Sequence, residues 1–117
     1  MHTHHMIDYV EFPCRDFNRT KEFFGNLFGW KFTDYGPGYT AFSAAGLEGG
    51  FYASDLCSES GNGSALIVLY SEELETTQSA VQAAGGVIST EIFSFPGGRR
   101  FHFLEPSGNE LAVWSDR

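Results

Sequence analysis

The sequence predicts an α+β fold made of two copies of one unit, a strand, a helix and then three strands. Three observations carry this. A strand-like alternation followed by an apolar stripe of helical period occurs twice, once from Ile7 to Phe28 and once from Ala65 to Ala84. Each stripe stops at glycine, Gly29 in the first copy and Gly85-Gly86 in the second. Three further extended segments, separated by turn residues, follow each stop. The units span about 7–53 and about 65–114, joined by a linker at about 54–64, within one domain of 117 residues (1–117).

In chain order, Ile7 to Cys14 alternates as a strand, with Tyr9 and Glu11 on one face and Val10, Phe12 and Cys14 on the other. Asp16 is placed to cap a helix over 17–28, whose stripe is Phe17, Thr20, Phe23, Phe24, Leu27 and Phe28. Trp30 to Tyr35 and Tyr39 to Ala44 form a hairpin around Gly36-Pro37-Gly38, and a short strand follows near 48–53. Residues 54–64 are Ser, Gly, Asn and acid, with little to bury, and read as a linker or mobile loop. Ala65 to Tyr70 reads as a buried strand. Ser71 is placed to cap the second helix, with Glu72, Glu73 and Glu75 in its first turn. Val87 to Phe93 is a strand and 94–98 a turn. The last two strands flank Glu105-Pro106-Ser107-Gly108-Asn109, where Pro106 presets φ and Gly108 tolerates its positive range. On the strand before that turn, Arg100 and His102 share one face and Phe101 and Phe103 the other.

Composition narrows the partners. A formal charge of −8 argues against a nucleic-acid backbone or an anionic membrane surface, and no apolar run is long enough to span a bilayer. The first six residues have no apolar signal core, so a cytoplasmic protein is expected. Cys14 and Cys57 lack CxxC spacing and read as reduced thiols, and His2, His4 and His5 read as a tail.

Three segments, in this order, resemble the vicinal oxygen chelate superfamily, which includes glyoxalase I, bleomycin-resistance proteins, fosfomycin-resistance enzymes and extradiol dioxygenases. They are the Asp-capped aromatic helix ending Leu27-Phe28-Gly29-Trp30, the second helix ending Ala83-Ala84-Gly85-Gly86-Val87, and Phe103-Leu104-Glu105-Pro106-Ser107-Gly108-Asn109. The resemblance implies paired βαβββ modules whose sheets form a half-open barrel around a central pocket, with homodimer assembly. In metal-dependent members, His and Glu from four strands converge on a divalent ion. Here the corresponding positions are Tyr9, a residue near Gly50 or Phe51, Leu66 and Ala112, so the usual cage is absent and no metal or other cofactor is expected.

Carried over by face, the resemblance puts Tyr9, Glu11, Arg100 and His102 in the pocket, against a wall of Leu66, Val68, Ala112 and Trp114, with Glu110 at the rim. A few convergent polar groups on an apolar wall suit a small ligand. Three readings follow. The first is a lyase- or isomerase-like enzyme with His102 and Glu11 transferring protons and Arg100 holding an anionic substrate, since imidazole titrates near neutrality and guanidinium offers a planar fork of donors. The second is a binding protein that sequesters a drug or metabolite. The third is a metal enzyme whose ligands lie in a different register. In the absence of a ligand, Glu11 is expected to pair with Arg100.

Overall fold

A computed structural model describes residues 2–117 and gives the expected α+β architecture of two βαβββ modules. The first comprises β1 (Tyr9–Cys14), α1 (Phe17–Phe28), β2 (Lys31–Asp34), β3 (Tyr39–Ser43) and β4 (Glu48–Ala53). The second comprises β5 (Ile67–Tyr70), α2 (Leu74–Ala83), β6 (Val87–Phe95), β7 (Gly98–Leu104) and β8 (Glu110–Ser115). The strand orders match, β1-β4-β3-β2 and β5-β8-β7-β6, and the first strand of each module runs parallel to its last. The two sheets do not close into a barrel, so β1 and β5 remain edge strands.

One helix joins the sheets. The Asp16 carboxylate accepts from the Arg19 amide at 3.1 Å, and Gly29 ends α1 at φ 75°, a conformation that favours glycine. Between these ends Phe24 stacks on Trp30 at 4.3 Å and lies 5.8 Å from Phe51 of the first sheet. From the same helix, Phe23 and Phe28 reach Phe103 of the second sheet at 5.9 and 6.4 Å. Phe24, Phe51, Phe101 and Phe103 are fully buried. The faces carrying Tyr9, Glu11, Arg100 and His102 are therefore the ones turned away from α1.

Four local expectations change. β5 is a half-exposed edge strand rather than a buried one, with Val68 and Tyr70 exposed, and β6 continues to Phe95, into the turn expected at 94–98. The second helix begins at Leu74, after Glu73, so Ser71 does not cap it and Glu72 lies ahead of its first turn. The Ser71 hydroxyl instead accepts from the Glu73 amide at 3.0 Å, a local bond that competes with helical capping. The linker is tied down rather than loose. The Ser58 amide donates to Asn109 Oδ1 at 2.8 Å, the Glu110 amide donates to Ser58 O at 2.8 Å, and a short 3₁₀ turn occupies Ser60–Asn62. Polar side chains of the β7–β8 turn hold it, so an apolar core was not needed to order it.

Candidate functional site

Cross-strand registers define the second-sheet face. Val68, Ala112, His102 and Thr90 form one row across four strands; Tyr70, Trp114, Arg100 and Phe93 form the next. This confirms the alternation read from the sequence: Phe101 and Phe103 pack inward, while Arg100 and His102 face the other way. His102 Nδ1 lies 2.7 Å from Glu110 Oε2, and Glu110 Oε1 accepts from both the amide and the hydroxyl of Ser60 at 2.8 Å. Burial by itself would raise the Glu110 carboxyl. The His102 and Ser60 hydrogen bonds outweigh it and hold that carboxyl below its usual range. With Nδ1 committed to the carboxylate, His102 Nε2 is left buried and without a partner. Arg100 places its guanidinium 5.2 Å from the centre of Phe93 and 5.6 Å from that of Phe95.

The first-sheet face is built differently. Tyr39 donates to Glu11 Oε2 at 2.9 Å, so the 2.6 Å contact between the phenols has Tyr9 donating to Tyr39. Burial first, then donation to the Glu11 carboxylate, push the Tyr39 phenol well above its usual range. Register settles the fourth-strand position. Gly50 pairs with Glu11 and shares its face, whereas Phe51 is core. A Cβ on Gly50 would lie 2.0 Å from the Tyr39 hydroxyl, so that phenol fills the space a side chain at position 50 would need.

The expected Glu11–Arg100 pair does not form. Glu11 bonds to Tyr39, and among the described residues Arg100 makes no ion pair. The carboxylate at His102 is Glu110, not Glu11. The eight predicted residues thus fall into groups. Arg100, His102, Ala112, Trp114 and Val68 share the second-sheet face, and Tyr9 and Glu11 share the first. Leu66 and Val68 line an apolar cleft of about 550 Å3 between the modules, with Val10, Phe12, Trp30, Phe42 and Tyr70 on its other walls. Glu11 borders a separate cavity of about 330 Å3 with Tyr52, Cys57 and Ser64. Sequence reading missed Tyr39 and Ser60. A glycine across the strand from Glu11 was the available sign of the first, while Ser60 lay in a stretch with no periodicity to read.

The donors of the family's divalent metal site do not fit. Tyr9 is engaged with Tyr39, position 50 is a glycine covered by that phenol, and Leu66, Val68 and Ala112 carry no donor atom. Among the described residues no three His, Cys, Asp or Glu side chains gather as a metal site. Among the described residues no helix is long and apolar enough to cross a membrane, and both cysteines are free.

The chain belongs to the Glyoxalase/Bleomycin resistance protein/Dioxygenase superfamily, whose family model matches residues 6–113. No curated protein matches the sequence significantly. Among solved structures it is similar to a glyoxalase-related enzyme from Fulvimarina pelagi, with TM-score 0.77 and 15% identity over 95% of this chain and 88% of that one. It is also similar to lactoylglutathione lyase from Agrobacterium tumefaciens, with TM-score 0.70 and 14% identity over 95% and 93%. A third is TnmS3, an antibiotic binding protein from Streptomyces sp. CB03234, with TM-score 0.68 and 16% identity over 97% and 98%. At these identities the likeness shows the fold.

Proposed function

We propose that this chain is a metal-independent enzyme of the superfamily, lyase- or isomerase-like, that moves a proton on a small anionic substrate. The observation that carries the reading is the His102–Glu110 pair, with Nε2 unpartnered on the same strand face as the Arg100 guanidinium. Glu110 fixes the tautomer, Nε2 takes the proton, and Arg100 holds the anion. The experiment is solvent exchange. The protein is incubated in D2O with a panel of 2-oxo and 2-hydroxy carboxylates, and NMR follows loss of the proton next to the carbonyl or hydroxyl carbon. Exchange dependent on His102 supports the enzyme; binding without exchange across the panel replaces it with the second reading. That reading is a sequestering protein, and it draws on the aromatic row of Tyr70, Trp114 and Phe93, which offers stacking surface, and on the antibiotic-binding neighbour.

Two further expectations attach to this proposal. Protein lacking residues 1–6, and with them the His-rich tail, should contain no stoichiometric Ni, Zn, Fe or Mn by elemental analysis; near-equimolar metal would overturn metal independence. The unpaired β1 and β5 edges and exposed Tyr9, Tyr52 and Tyr70 favour a homodimer. Light scattering should give twice the chain mass of 13.0 kDa, and a monomer mass at working concentration would refute it.

A further inference from the structure

We propose that the anion bound at Arg100 carries a long apolar body, an aryl or acyl carboxylate, which lies along Trp114 and Tyr70 into the cleft beside β5. This rests on the reading of Arg100 and His102 as the anion end of the site. Two buried nitrogens point to a ligand there: Arg100 Nε and His102 Nε2 have no partner, and His102 is more than nine-tenths buried. The guanidinium is held by the faces of Phe93 and Phe95 instead of by a carboxylate, so its terminal nitrogens stay available.

The body follows from what adjoins that end. Phe95 and Trp114 lie 6.4 Å apart, and Trp114 and Tyr70 lie 5.2 Å apart edge to face. Tyr70 and Val68 then line the rim of the apolar cleft of about 550 Å3, which also takes in Ile67 and Leu69 from the opposite face of β5, so the body turns over the β5 edge to enter it. Arg100 and Tyr70 sit in one cross-strand row, two strands apart, which is roughly 10 Å. Tyr70 is 46% exposed and Val68 43%, so a compact hydroxy acid would leave this apolar surface wet. A six-carbon chain with a terminal ring covers it.

Calorimetric titration with 6-phenylhexanoate, butyrate and 6-phenylhexanol tests this, with folding checked by circular dichroism. Each buried methylene adds about fourfold, so 6-phenylhexanoate should bind at least about tenfold more tightly than butyrate. Arg100→Gln should cost 6-phenylhexanoate about tenfold, toward the affinity of the alcohol. Val68→Ser, which makes the cleft wall polar without adding charge, should cost 6-phenylhexanoate about tenfold and cost butyrate clearly less. If butyrate matches 6-phenylhexanoate and both depend on Arg100, the anion site stands and the long body is refuted. If 6-phenylhexanoate binds Arg100→Gln as well as wild type, the anion reading itself falls. If neither carboxylate binds at millimolar concentration, both fall.

Discussion

Asn109→Ala should lower stability by about 3–5 kcal/mol in urea unfolding at neutral pH, among the largest losses any single truncation would produce here. Asn109 is fully buried and every polar atom of its side chain is engaged. Nδ2 donates to Pro13 O at 2.7 Å and to Glu105 Oε2 at 3.2 Å, while Oδ1 accepts from the Ser58 amide at 2.8 Å. One side chain therefore joins the end of β1, the linker and the β7–β8 turn. Alanine leaves the buried Pro13 carbonyl and the Ser58 amide unpartnered, and it strips a donor from a buried carboxylate. That carboxylate gives the loss a pH signature. Burial raises the Glu105 carboxyl above its ordinary value, opposed by the Ser107 amide, the Thr20 hydroxyl, Asn109 and the Arg15 charge. A carboxyl raised in the folded state favours folding below its unfolded value, and that contribution disappears as pH rises through the folded value. Removing Asn109 raises it further, because one bond to the anion is gone. The destabilisation should accordingly be smaller at about pH 4 than at about pH 7. Equal losses at both would mean that Glu105 does not feel Asn109.

What the sequence disclosed and what it hid divide along physical lines. Strand alternation has period two, so the opposite facing of Phe101 and His102 was fixed by adjacency alone. Helix caps and glycine stops are local chemistry, and Asp16 and Gly29 behave as read. Ser71 failed because its hydroxyl had a nearer amide to satisfy. The partner of His102 was harder. Glu11 and Glu110 both lie on polar faces, and choosing between them requires knowing which strands adjoin. That choice is made by the β7–β8 register, which pairs His102 with Ala112 and Leu104 with Glu110 and so sets Glu110 on the strand beside His102, while Glu11 lies in the other sheet. Alternation along a single strand does not report that register. The linker was misjudged for a related reason. Its composition offers nothing to a core, yet the turn residues Asn109 and Glu110 gave its amides partners.

Glu110→Gln, although isosteric, should nearly abolish the proposed proton transfer, by about 10²–10⁴-fold, as His102→Gln should. The reason lies in the two ends of the carboxylate. Oε1 already accepts from the Ser60 amide and hydroxyl, and Oε2 faces His102 Nδ1. A glutamine can keep the Ser60 donors satisfied only by turning its carbonyl oxygen toward them. Its NH2 group then meets Nδ1, which must become an acceptor. The imidazole proton moves to Nε2, and the nitrogen that should take the substrate proton is already occupied. Nitrogen-15 NMR reads the tautomer directly, without a substrate. Wild-type protein at neutral pH should show Nδ1 bonded to hydrogen, and Glu110→Gln should show Nε2 bonded to hydrogen, with the fold unchanged by circular dichroism. Glu110→Gln that keeps the wild-type tautomer, or that exchanges substrate protons at the wild-type rate, would remove Glu110 from the mechanism. His102 would then stand alone as a buried imidazole on an aromatic face, and the binding-protein reading would take precedence.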